Sequence, residues 1–199
     1  MKTAPSDSPT RLRLLEAAAS LMLEKGFSGT SIDTICVRAG LTKGAFFHHF
    51  PNKEVLASAL VDKWSTDRHA IHGRFFGTHS DPLKRVNAYA DGVACAARDG
   101  ALLKGCLIGS FAQELQDLPA VRRSCRKGFE DWVEQLARQI ALAKERHAPN
   151  SAFDPVESAE GFVAHVEGAI LIAKASDDAG PVVRAVGIFK RGLRAALAG

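Results

Sequence analysis

Between Thr10 and Lys25 the apolar residues Leu12, Leu15, Ala18, Ala19 and Met22 recur at helical spacing, while Arg11, Arg13, Glu16 and Lys25 fall off that stripe. Positions three and four apart share a helix face, so this pattern predicts an amphipathic helix, which Gly26 stops. After Phe27, Thr30 or Ser31 can cap a second, short helix in which Ile32, Ile35 and Cys36 face inward and Asp33 sits in the first turn. Gly40 suits the left-handed conformation that a tight turn between helices demands. Leu41, Thr42 and Lys43 open a third short helix carrying Ala45, Phe46, Phe47, His48 and His49, which Phe50 and Pro51 close.

Asn52, Lys53 and Glu54 begin a longer fourth helix through Val55, Leu56, Leu60 and Trp64, which runs to about residue 77. Helical patterns then run roughly from Pro82 to Arg98, Leu103 to Leu118, Pro119 to Arg146, Asp154 to Ala175 and Pro181 to Ala198, with Pro and Gly at the seams. No alternating run of Val, Ile or Thr suggests a strand, and no repeat of the solenoid kind appears. The expected class is all-α. It comprises a flexible arm over residues 1–9, a three-helix unit over 10–56 with its connecting fourth helix, and a helical bundle over 78–199.

Composition narrows the function classes. With 199 residues, 46% hydrophobic and 24% charged, the chain can bury a sizeable core, and its net charge of +4 is compatible with a polyanionic partner. The four cysteines, Cys36, Cys95, Cys106 and Cys125, form no CxxC pair or zinc-finger spacing, and the N-terminus does not read as a signal peptide, so the expected setting is the reducing cytoplasm. No apolar run approaches the roughly 20 residues of a membrane span. His48 and His49 are adjacent in a helix and point about 100° apart, so they do not make a metal pair. There is no nucleophile elbow, phosphate loop, HExxH or paired-carboxylate helix, and neither a catalytic residue nor a cofactor nor a metal is expected.

The second and third short helices have the spacing of a helix-turn-helix, with Thr30 to Arg38 as the bracing helix, Ala39 to Leu41 as the turn and Thr42 to His49 as the recognition helix. Thr42, Lys43, Gly44 and Ala45 keep the start of that helix polar and slender enough to approach a duplex, while Phe46 and Phe50 anchor its other face. From these residues alone, a helical small-molecule-binding protein or enzyme that does not bind DNA remains an alternative.

The run from Thr30 to Leu56, with Ala39-Gly40-Leu41-Thr42-Lys43-Gly44-Ala45-Phe46-Phe47-His48-His49-Phe50 at its centre, resembles the DNA-binding signature of the TetR family of repressors. The resemblance covers about the first third of the chain. It implies a homodimer that binds a palindromic operator in double-stranded DNA and is released by a small-molecule or electrophile effector. Carried over, it puts Thr42, Lys43 and His48 on bases or phosphates, and Thr30, Ser31 and Lys53 on phosphates at helix starts. Family members frequently have Tyr where this chain has Phe47, which cannot donate to a phosphate and is expected to pack or to touch a sugar or thymine methyl.

The segment from Gly105 to Leu115 is similar to a branch of that family whose repressors sense electrophiles through a cysteine, with a lysine on a later helix; here these would be Cys106 and Lys174. The chemistry is that of a thiolate favoured by a cationic neighbour. The alternative effector is an apolar molecule held among residues such as Tyr89, Leu107, Phe111 and Trp132, with Phe75, Phe76 and Phe162 in the same region. The resemblance assigns Val163, Val166, Ile170, Val183, Val186 and Phe189 to a four-helix dimer interface, a stripe that on its own also reads as helices covering the monomer's core.

Overall fold

A computed structural model describes residues 8–77 and 79–198, and every regular element among them is a helix. In chain order these are α1 (Pro9–Lys25), α2 (Ile32–Ala39), α3 (Lys43–His49), α4 (Lys53–Phe76), α5 (Pro82–Arg98), α6 (Leu107–Glu114), α7 (Pro119–His147), α8 (Pro155–Ser176) and α9 (Gly180–Ala198). The arm expected over residues 1–9 lies, up to Asp7, outside the described residues. Its last two positions start α1: Ser8, in extended conformation, caps the helix by accepting the Arg11 N–H at 3.2 Å, and Pro9 occupies the first turn, where its missing N–H costs nothing.

The chain divides into two compact units, one running to Trp64 and including Leu107–Arg126, the other made of Ser65–Cys106 and the chain from Lys127 onward. The sequence pattern places the boundary elsewhere, with everything past residue 78 in the second unit. The difference is α6, which together with the first turns of α7 belongs with the N-terminal helices. Phe111 of α6 is buried edge-on against Phe27, with ring centroids 6.3 Å apart, and Glu114 hydrogen-bonds the turn after α1.

The expected helix from Leu103 to Leu118 is shorter than its apolar periodicity suggests. Gly100 and Gly105 adopt φ of 78° and 104°, a backbone conformation that breaks helix propagation, so α6 begins only at Leu107.

Within the first unit, α1, α2 and α3 pack around Leu14, Leu15, Met22, Ile35, Phe46, Phe50 and Leu56, all buried. Burial of a side chain the size of Phe46 or Phe50 contributes about 1.5–3 kcal/mol relative to exposure. Within the second unit, α9 packs against both α8 and α5, and Tyr89, Trp132, Phe162, Val166 and Val182 fill the interior. No helix among the described residues is long and apolar enough to cross a membrane.

Candidate functional site

The turn between α2 and α3 is specified locally. Ser31 caps α2 by accepting the Thr34 N–H at 3.1 Å, and the Thr34 hydroxyl accepts the Ser31 N–H at 3.1 Å, a reciprocal pair that satisfies two otherwise free donors. Gly40 ends α2 at φ 62°, and its N–H returns to the last carbonyls of that helix. Thr42 then caps α3 by accepting the Ala45 N–H at 3.2 Å. Arg13 of α1 donates to the carbonyls of Ala39 and Gly40, fixing the turn against the first helix. Phe46 and Phe50 hold the inner face of α3, with ring centroids 5.8 Å apart.

This packing leaves an outward face. Thr42, Lys43, Gly44, Phe47 and His48 are exposed, with Phe47 53% accessible, and Ala45 is half-buried. Ser31 is exposed at the start of α2. Lys43 pairs with Asp33 at 2.8 Å across an exposed gap, and that hydrogen bond and charge hold the ammonium above its ordinary pKa. Burial pushes the Cys36 thiol up, with Asp33 acting in the same direction.

Two of the expected phosphate contacts point elsewhere. Thr30 is 1% exposed and its hydroxyl donates to the Gly26 carbonyl at 2.8 Å, so it closes the turn after α1. The Lys53 ammonium donates to the carbonyls of Phe27 and Thr30, both at 2.8 Å, and lies 4.1 Å from the centre of the Phe27 ring. Burial lowers its pKa, against the opposing pull of Glu114. Lys53 is therefore a brace between α4 and the α1–α2 turn. Conversely, Val37 stands 81% exposed on α2 and Thr34 is exposed beside it, two positions that the sequence pattern did not single out for contact. Val37 lies off the apolar stripe of α2, and a large apolar residue there is the one signal available.

The residues expected at the effector separate between the units. Phe111 and Leu107 are buried in the first unit, where Phe111 supports Phe27. Tyr89, Trp132, Cys106 and Lys174 belong to the second. There the Trp132 indole N–H donates to the Tyr89 hydroxyl at 2.7 Å, and Arg68 both donates to that hydroxyl at 3.3 Å and lies 3.8 Å over the Trp132 ring. Cys106 is buried and hydrogen-bonded to Glu167, whose carboxyl is raised above its ordinary range by burial, with Cys106 and the Arg68 charge pulling the other way. Lys174 is on the exposed face of α8. Burial pushes the Cys125 thiol up to about 11.

The stripe assigned to dimerisation mostly faces inward. Val163, Val166, Ile170 and Val186 are buried within the single chain, and Val183 and Phe189 are half-buried. The large apolar residues that α8 and α9 expose are instead Val156 near the start of α8, at 48%, and Leu171, Ile172 and Ile188, at 52%, 60% and 50%. A β-carbon added at Gly161, Gly168 or Gly192 would meet nothing within 4 Å.

Comparison with known proteins bears on both units. Residues 14–60 match the profile described as bacterial regulatory proteins, tetR family, and residues 82–189 match that of the tetracyclin repressor-like C-terminal domain. The HTH-type transcriptional repressor DhaR of Mycobacterium sp. (strain GP1) is 30% identical over 84% of this chain and 83% of its own length. Among solved structures, a regulatory protein TetR from Rhodobacter sphaeroides superposes with a TM-score of 0.83 at 29% identity, covering 92% of this chain and 98% of that one. The reduced form of NemR from E. coli superposes with a TM-score of 0.82 at 25% identity, over 92% and 96% of the two chains.

Proposed function

The chain belongs to the tetR family of bacterial regulatory proteins, and from that membership we propose a homodimeric repressor that binds a palindromic operator and leaves it when an effector occupies the second unit. That it is a DNA-binding transcriptional regulator and not an enzyme follows from the family itself. The observation that carries the operator reading is the capped α2–turn–α3 element, with Thr42, Lys43, Gly44, Phe47 and His48 exposed along one short helix. Ser31 supplies a helix start suited to a phosphate, and Ala45 leaves room for close approach. Lys43 exchanges its exposed Asp33 partner for a phosphate. Phe47 and Val37 offer apolar contact to sugars or thymine methyls. Thr30 and Lys53 are left out of the contact set because their polar atoms serve the α1–α2 turn.

Dimerisation is assigned to the exposed strip of α8 and α9. Leu171, Ile172 and Ile188 supply apolar surface, and the open glycines Gly161, Gly168 and Gly192 permit close helix approach. Two heads joined this way read half-sites about 34–36 Å apart, one turn of DNA, or somewhat farther.

For the effector, the family branch and the reduced-form NemR relative support a thiol reading at Cys106. The Cys106 thiol has an acceptor in Glu167, so addition to the β-carbon of an α,β-unsaturated carbonyl forms the S–C bond as the C=C π bond breaks and its pair moves onto the carbonyl oxygen, while the thiol proton passes to that carboxylate and from it to the enolate. Lys174 is the cation that the family branch supplies to this chemistry. Added volume beside Tyr89 and Trp132 then favours a second arrangement of the body, and operator affinity falls by the ligand's differential affinity for the two states. The operator reading is tested by footprinting the purified protein on the intergenic DNA beside its own gene. A protected inverted repeat is expected, and uniform, sequence-independent protection would refute it.

A further inference from the structure

His72 of α4 lies in the second unit, 1% exposed, with Nδ1 2.9 Å from Gln135 Oε1. The Gln135 side-chain nitrogen donates to the Asp131 carbonyl at 3.1 Å, and a carbonyl only accepts, so the oxygen is the amide atom that faces His72. An acceptor at Nδ1 puts the ring's proton there. Burial, helped by the Arg68 charge and opposed by the Gln135 bond, lowers the imidazole pKa to about 4, so at neutral pH Nδ1–H is the only ring N–H. Nε2 is then a bare lone pair, buried and without a hydrogen-bond partner. A buried acceptor in that state is unfavourable until something donates to it.

The surroundings describe the rest of a ligand. The Tyr89 ring stands edge-on to His72 at 4.5 Å, Phe76 lies at 5.4 Å, and Phe162 packs against Tyr89 at 6.0 Å. Elsewhere in the same unit, Glu167 Oε1 is another buried side-chain atom without a hydrogen-bond partner. A hydrocarbon among these residues leaves Nε2 unsatisfied. An ionised carboxylate brings only oxygen lone pairs to face it.

Resting on the effector reading above, we infer that the second unit recognises a small uncharged molecule bearing a hydroxyl or N–H group, with His72 Nε2 as the acceptor of that hydrogen and the aromatic residues around it as the apolar wall. Tyr89 is not an alternative acceptor, since its oxygen already receives Trp132 and Arg68. Selectivity resides in one hydrogen bond whose loss strands a buried acceptor, and a loss of that kind corresponds to a discrimination of about tenfold.

The test uses the full-length protein, isotopically labelled at histidine nitrogens, with two probe sets: benzyl alcohol, toluene and benzoate, and 1-pentanol, pentane and pentanoate. The alcohols are expected to bind about tenfold more tightly than their hydrocarbon and carboxylate counterparts and to move the His72 Nε2 resonance from the free to the hydrogen-bonded position. His72→Phe is expected to keep operator binding and lose that preference. The nitrogen resonance of the wild-type protein carries the test if that variant does not fold. Equal or tighter binding of the hydrocarbons or carboxylates overturns the inference. So does no binding by any of the six, or an Nε2 resonance already hydrogen-bonded without ligand and unmoved by every probe, the signature of an ordered water alone. If the alcohols bind at His72 with the expected preference while operator affinity stays constant, the ligand class stands and the effector reading fails.

Discussion

The Glu114 carboxylate accepts the backbone N–H of Phe27 at 2.8 Å, and with its other oxygen that of Ser28 at 2.7 Å, tying the end of α6 to the turn that follows α1. Gly26, at φ 76°, leaves room for this contact, because a β-carbon there would come within 3.1 Å of the carboxylate. Burial alone would raise the carboxyl pKa, but the Ser28 and Phe27 donors and the Lys53 charge hold it below its ordinary range. A depressed carboxyl pKa contributes stability above the unfolded value and loses it as pH falls through the folded one. The first unit should therefore loosen below the ordinary carboxylate range, and Glu114→Gln should flatten that part of its stability-pH profile. Glu114→Ala should cost about 1 kcal/mol, a modest figure because the site is solvated. Thermal melts across acid pH measure both.

Lys43 and Lys53 should separate cleanly in salt titrations. Lys43→Ala removes an exposed cation at the start of α3, so operator affinity should fall and the slope of log K against log salt should shrink by about 0.9 for each phosphate that the lysine neutralises. Lys53→Gln removes the two hydrogen bonds to the α1–α2 turn, so the melting temperature should drop while the salt slope stays at its wild-type value. A reduced slope in Lys53→Gln would return that lysine to the phosphate contacts.

Ile172→Glu and Ile188→Glu place charge on the exposed strip of α8 and α9, and sedimentation should then report single subunits with native helix content. Val166→Ala, by contrast, removes methyl groups from the chain's own core, with a cost of about 1–3 kcal/mol in folding and no direct effect on association. Association unaffected by both charge substitutions would move the interface elsewhere.

An α,β-unsaturated aldehyde should release the wild-type protein from its operator and leave Cys106→Ser bound. Cys36 and Cys125, whose thiols burial pushes up, should stay unmodified in mass spectra of the treated protein. Equal release of both proteins would remove Cys106 from sensing.

The helix-turn-helix is legible in the sequence because its determinants are local. Ser31, Gly40 and Thr42 each act within four residues of their own position, and a cap or a left-handed turn leaves a mark in sequence. The roles of Thr30 and Lys53 are not legible there, since a threonine and a lysine at helix starts suit a phosphate as well as a carbonyl. The carbonyls of Phe27 and Thr30, 26 and 23 residues from Lys53, decide for the lysine, and the carbonyl of Gly26 decides for Thr30. Helical periodicity finds the stripe Val163, Val166 and Ile170 on α8 but cannot say which partner it faces; the chain's own core claims it. The weaker stripe of Leu171, Ile172 and Ile188 is left outward. The His72–Gln135 bond spans 63 residues and has no local signature at all.

Whether two copies of α3 enter DNA together is decided by sedimentation of the purified protein with duplexes from its neighbouring intergenic region. A complex of two chains per inverted repeat is expected, weakened by Lys43→Ala. A complex of one chain, or equal affinity for the repeat and a scrambled duplex of the same length, would overturn the paired-helix reading.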